Sequence, residues 1–163
     1  MVITKNGESL MINVLFVCLG NICRSPMAEA VFRDIVQKEK LSNHISVDSA
    51  ATSSWHIEKP PHKGTLAKLK EYAVSSEGMF GRQIEKSDFE KCDYIVGMDE
   101  SNIENIRDIL GQPSHPKVFR FLDLTDHKKD VPDPYHTGDF QETDELVIEG
   151  CHALLEKIKE DQK

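Results

Sequence analysis

Cys18 and Arg24 lie six residues apart in the stretch Val14-Leu15-Phe16-Val17-Cys18-Leu19-Gly20-Asn21-Ile22-Cys23-Arg24-Ser25-Pro26. A thiol becomes a nucleophile when it ionises, and cationic side chains and converging backbone N–H groups favour that ionisation. A guanidinium presents its donors as a rigid fork that matches two oxygens of a phosphoryl group, which lysine does not. Gly20 and Asn21 are residue types that tolerate the left-handed backbone a tight anion nest demands. Ser25 is placed to give its hydroxyl to the sulfur, holding a thiolate and easing its departure as a leaving group. A thiolate in such a cradle can attack phosphorus and carry the phosphoryl group as a covalent intermediate. The competing reading is a core cysteine at a strand end, with Arg24 on a solvated helix face. A bare Cys-x5-Arg does not separate the two; the added Gly20, Asn21 and Ser25, set between a strand and a helix, favour chemistry.

The elements around this loop are those that gather amides about an anion. The apolar run from Val14 to Val17 predicts a buried strand over residues 13–17. From Pro26, the positions Ala28, Val31, Phe32, Ile35 and Val36 follow helical spacing to about Lys38, and proline in a first turn needs no N–H partner. Residues 44–49 alternate as a second strand, and residues 50–63 form a loop with the single tryptophan, Trp55. A helix is expected over about 62–72, and Ser87-Asp88-Phe89-Glu90 has the pattern of a capping box. Residues 94–98 read as a third strand, followed by a helix marked by Ile103, Ile106, Ile109 and Leu110. A fourth strand is expected at 117–122, then an irregular Asp- and Pro-rich segment at 123–138. The last helix, about 140–160, carries a broad apolar stripe from Leu146 and Val147 to Ile158.

Strands alternating with helices predict an α/β fold, a small doubly wound four-stranded parallel sheet of order 2-1-3-4 with helices on both faces, flavodoxin-like. In such sheets ligands bind beyond the carboxyl ends of the strands at the switch point. The Cys18 loop leaves the carboxyl end of strand 1, so fold and motif indicate the same place.

The 163 residues suit a single domain, expected over 13–163, and residues 1–12 are expected to be a disordered extension, with Met11 a plausible natural start. The net charge of −8 argues against nucleic acid as a partner, and an anionic ligand must be captured by a local field. No apolar run is long enough to span a bilayer and the N-terminus has no secretory h-region, so no membrane association and a cytoplasmic location are expected. The four cysteines, Cys18, Cys23, Cys92 and Cys151, are too few and scattered for a disulfide scaffold and lack zinc-ligand spacing. Cys92 and Cys151 read as small core hydrophobes. Cys23 reads either as a packed thiol beneath the loop or as the partner of a reversible disulfide with Cys18 that would shield the nucleophile from irreversible oxidation.

The stretch from Cys18 to Glu29 resembles the signature of the low-molecular-weight protein tyrosine phosphatases. Further similarities are the Trp55 loop, Arg82-Gln83, Asp93-Tyr94-Ile95, Met98-Asp99-Glu100-Ser101-Asn102 and Val131-Pro132-Asp133-Pro134-Tyr135. The resemblance spans essentially everything from Asn13 to the last helix. It implies Cys18 as nucleophile, Arg24 as phosphate clamp and Asp133 as general acid and then base, with Leu19, Gly20, Asn21, Ile22, Cys23 and Ser25 completing the phosphate loop. From the residues alone, Asp133 stands level with Asp123, Asp126, Asp130 and Asp139, so its role rests on the resemblance. Trp55, Tyr135 and His136 resemble the family's cleft walls, although a second tyrosine is usual where this chain has His136. The implied substrates are phosphotyrosine-containing proteins. No cofactor and no metal are expected, because thiolate, guanidinium and amides already meet the charge demands. A monomer, at most weakly dimerising, is expected.

Three other functions stay in view. Arsenate reduction on this scaffold needs a nearby resolving pair of cysteines, and Cys92 and Cys151 are far apart in sequence. Arginine phosphatases of the same family are implied to carry threonine where this chain has Ile22, which points here to phosphotyrosine. A silent phosphotyrosine-binding module is disfavoured because every residue the chemistry needs is present.

Overall fold

The computed structural model describes residues 11–163. Four parallel strands, β1 (Ile12–Cys18), β2 (Ile45–Ala51), β3 (Tyr94–Gly97) and β4 (Val118–Arg120), form one sheet of order β2-β1-β3-β4. Six helices accompany them: α1 (Arg24–Lys38), α2 (Lys63–Glu71), α3 (Asp88–Lys91), α4 (Glu100–Leu110), α5 (Pro134–Thr137) and α6 (Phe140–Asp161). This is the expected α/β architecture, of the flavodoxin-like kind. Ten residues of the expected 1–12 extension lie outside the described residues; Ile12 is already the buried first residue of β1. No helix among the described residues is long and apolar enough to cross a membrane.

Alternation along β1 explains why it is central. Val14, Phe16 and Cys18 point into one core with α1, α6 and Leu69 of α2, whereas Leu15 and Val17 point into the other with Ile103, Ile106 and Leu110 of α4. Phe16 is the keystone of the first core, meeting Phe32 edge-on at 5.8 Å and Phe121 at 5.4 Å between ring centroids. Gly150 of α6 lets Phe121 in: a Cβ there would lie 2.6 Å from the ring. Cys92 and Cys151 are buried free thiols, as expected.

Several elements depart from the pattern-based expectation. Helix α1 starts at Arg24, two residues before Pro26, so the proline sits third in the first turn, where its missing N–H still needs no partner. Strand β2 runs on through Ala50 and Ala51, which pair with Val17 and Cys18; tertiary pairing overrides alanine's weak strand preference. The fourth strand is only three residues long, because the chain tightens into a 3-10 helix at Phe121–Leu124. An extended chain would send neighbours Phe121 and Leu122 to opposite faces; the turn puts both into the same core. The capping box expected at Ser87 does not form. Ser87 is itself helical (φ −63°, ψ −22°) without a capping bond, and Asp88 instead accepts from the Glu85 N–H and pairs with Arg82. Among the described residues the capping box is at the start of α4, between Asp99 and Asn102.

Candidate active site

Cys18, the last residue of β1, ends the strand at its carboxyl edge, and α1 begins six residues later. Its Sγ lies 3.0 Å from Ser25 Oγ and accepts from the Asn21 N–H at 3.3 Å. Asn21 takes the left-handed backbone (φ 56°). Gly20 does not, contrary to expectation; what it provides is room, since a Cβ there would lie 3.1 Å from the His56 ring.

The loop is braced from behind by a buried polar chain. The Asn21 amide donates to Ser25 Oγ and Ser49 Oγ, both at 2.8 Å, and its carbonyl accepts from the Arg82 N–H at 3.1 Å. Ser49 donates onward to Glu29 at 2.5 Å, and Glu29 is paired with Arg33. Burial raises the Glu29 carboxyl above its usual range, opposed by the Ser49 hydroxyl and Arg33. Neighbouring segments tie the loop down: the N–H groups of Thr52, Ser53 and His62 donate to the carbonyls of Cys18, Leu19 and Ile22. The Thr65 hydroxyl donates to the Cys23 carbonyl.

Arg24 is buried, yet its guanidinium is held in place by three acceptors. Nη1 donates to Asp99 at 2.7 Å and to the Val131 carbonyl at 3.0 Å, and Nη2 lies 3.5 Å from Asp133 Oδ2. Nε is buried with no partner among the protein groups. Burial by itself works against the charge, but the acidic groups of Cys18, Asp99 and Asp133 around it more than compensate and raise its pKa. For Cys23 these influences add up the other way. Burial, then the charges of Asp133 and Cys18, push its thiol up to about 12, so it is neutral at physiological pH.

Asp133 caps the short helix α5, accepting from the Tyr135 N–H at 3.1 Å. Two bonds pin the segment before it: Val131 N–H to the Met98 carbonyl, and Thr143 Oγ1 to the Pro132 carbonyl. His136 Nε2 lies 3.9 Å from Asp133 Oδ2. These residues enclose a cleft of about 180 Å³. Cys18, Cys23 and Arg24 lie in it together with Leu19, Gly20 and Ile22 of the loop, and Trp55, Asp133, Tyr135 and His136 line the rest. Trp55 is 66% exposed and therefore a cleft wall rather than a core plug. Asn21 and Ser25 do not line the cleft but are buried behind it as supports.

Sequence reasoning missed two participants. His56 lines the cleft beside Gly20, and its only signal was adjacency to Trp55. Asp99 binds Arg24 while capping α4 with its other oxygen, a double duty that the Asp-x-x-Asn spacing of a capping box hints at.

A nucleophilic thiol, a buried guanidinium and a carboxylate meeting at the carboxyl edge of a parallel sheet define a cysteine-dependent oxyanion-transfer site. The family model of low molecular weight phosphotyrosine protein phosphatases matches residues 13–163, and the chain belongs to that family. Among its relatives is the low molecular weight protein-tyrosine-phosphatase YfkJ of Bacillus subtilis, 46% identical over 155 residues, which span 94% of this chain and 99% of the relative. The YfkJ crystal structure superposes with a TM-score of 0.91 at the same identity, covering 94% of this chain and 98% of YfkJ. The protein-tyrosine-phosphatase PtpA of Staphylococcus epidermidis is 42% identical over 93% of this chain and 96% of its own. The structure of a Drosophila arginine phosphatase is similar at a TM-score of 0.81 and 32% identity, covering 90% of this chain and 97% of that one.

Proposed function

We propose that this chain hydrolyses phosphotyrosine in proteins through a phosphocysteine on Cys18. The observation that carries the proposal is the meeting of Cys18, Arg24 and Asp133 around one cleft, with the Cys18 sulfur held by Ser25 and Asn21. A phosphoryl group seated over the loop offers acceptors to Arg24, whose Nε otherwise has none. The Cys18 thiolate attacks phosphorus as the bond to the tyrosyl oxygen breaks, and protonated Asp133 gives its proton to that leaving oxygen. Asp133, now a carboxylate, takes a proton from water as the water attacks the phosphocysteine, releasing inorganic phosphate and the thiolate. The Ser25 hydroxyl and Asn21 N–H stabilise that thiolate as it departs. Trp55 and Tyr135 flank the tyrosyl ring, and His136 stands beside Asp133 where phosphopeptide preference is set.

All these groups come from one chain, so a monomer suffices. Because a thiol nucleophile works only when reduced, a cytoplasmic setting suits the reaction. The test is release of phosphate from para-nitrophenyl phosphate in the presence of EDTA, blocked by vanadate, alongside phosphotyrosine and phosphoarginine peptides. Hydrolysis that is vanadate-sensitive and favours phosphotyrosine is expected. Turnover of phosphoarginine alone would overturn the substrate assignment, and full activity in Cys18→Ser would overturn the mechanism.

A further inference from the structure

Helices α1, α2 and α6 enclose a second cavity of about 270 Å³ that shares no lining residue with the catalytic cleft. Val31, Ile35, Leu69 and Ile148 give it apolar walls, and Asp144 of α6 lies in its inner wall. Asp144 is 0% exposed, and neither carboxylate oxygen makes a well-formed hydrogen bond, the Tyr72 hydroxyl being the nearby polar group that favours its charge. A buried carboxylate is ordinarily paired or multiply hydrogen-bonded, because desolvating a lone charge is strongly unfavourable.

The nearby cations are committed elsewhere. Lys68 is bonded to Glu71 at 3.1 Å and Gln141 at 2.6 Å, and Lys38 pairs with Asp34 at 2.8 Å. Burial raises the Asp144 carboxyl to about 6, with the Tyr72 hydroxyl and Lys68 opposing the rise, so the group is largely ionised at pH 7.5. The cavity thus combines apolar walls with a buried anion that has no ion pair of its own: Lys38 and His152 also line it, but Lys38 is paired with Asp34, and Lys68 acts on Asp144 only through its charge.

We propose that this cavity is a binding site for a small organic ammonium ion, whose charge pairs with Asp144 and whose short aliphatic or aryl tail lies on Val31, Ile35, Leu69 and Ile148. Tyr72, 41% exposed, lines the cavity and is the side chain that swings aside to admit the ligand. A neutral ligand of the same shape gains the apolar contacts but leaves the carboxylate unpaired.

The experiment is isothermal titration at pH 7.5 of phenethylamine and its uncharged isostere 2-phenylethanol against the wild type, Asp144→Asn and the cavity-filling Ile148→Trp. Saturable binding of the amine to the wild type is expected, with about tenfold or greater weakening for the alcohol and for either variant, the loss of one charge-assisted pair. Both variants should keep para-nitrophenyl phosphate hydrolysis, which serves as the check of folding. Equal affinity for amine and alcohol, amine binding that survives Asp144→Asn, or no binding to the wild type up to the solubility limit would each overturn the proposal.

Discussion

Replacing Asp144 by Asn should make this protein more stable at neutral pH. The carboxyl is fully buried without a well-formed hydrogen bond. Burial raises its pKa from 3.8 to about 6; the Tyr72 hydroxyl and Lys68 oppose the rise, and Glu71 and Glu145 add to it. The folded state therefore holds the proton more tightly than the unfolded state. Well above pH 6 the group is ionised in both states and its penalty on folding is complete; the penalty fades as pH falls through 6 and is lost below 3.8, where both states are protonated. At about 1.4 kcal/mol per pH unit, the rise corresponds to a penalty of about 3 kcal/mol at pH 7.5 and about half that at pH 5. Asn keeps the shape and removes the titration. Urea unfolding of wild type and Asp144→Asn, under reductant at both pH values, measures the difference directly. The variant should be more stable by about 3 kcal/mol at pH 7.5, with the gap roughly halved at pH 5. A gap that does not change with pH, or a destabilised variant, would refute the reasoning, because either means the carboxylate has a partner in the folded protein.

Asp133→Ala should lower kcat for aryl phosphates by roughly 10²–10⁴ while KM stays within a few-fold, whereas Cys18→Ser should abolish turnover; steady-state kinetics decide both. Asn21→Ala should destabilise by roughly 2–4 kcal/mol in urea unfolding and impair catalysis, since alanine must hold a left-handed φ of 56° and two 2.8 Å side-chain bonds disappear. Gly150→Ala should destabilise by about 1–3 kcal/mol, because the added methyl meets the Phe121 ring at 2.6 Å; a neutral result would mean that α6 shifts freely. Mild peroxide should give a disulfide between Cys18 and Cys23, read by mass spectrometry, and sulfinic acid on Cys18 only in Cys23→Ser. Burial pushes the Cys23 thiol up to about 12, which makes Cys23 a poor site for the first oxidation. Sulfinic acid in the wild type without any bridge would exclude the protective role.

The catalytic loop was legible because its signal is local. Residues from Cys18 to Ser25 carry their chemistry in types and spacing, and the strand before and helix after them follow from short-range periodicity. The sheet order followed from alternating elements and the handedness of parallel crossovers. Elements whose ends depend on distant partners were not legible. Ala50 and Ala51 are strand only because Val17 and Cys18 pair with them, and Phe121 leaves the strand only because the core takes both it and Leu122.

Asp133 shows the same divide within the site. Its residue type left it among several loop aspartates; its position 3.5 Å from the Arg24 guanidinium is produced by the anchoring of Val131 to Met98 and of Pro132 to Thr143, across long sequence separations. Asp99 and His56 likewise reach the site through the α4 cap and the Trp55 loop. In α6, Asp144 lies seven residues before the buried Cys151, on the same face as the apolar stripe, and only the packing of α1 and α2 against that face reveals a buried carboxylate without an ion pair. By itself the sequence determined the nucleophile, the phosphate clamp and the layered sheet, since these rest on local spacing and alternation. Tertiary structure decided which aspartate stands beside Arg24, which side chains line the cleft and that Asp144 is buried, because proximity between residues far apart in the chain is set by how the core closes.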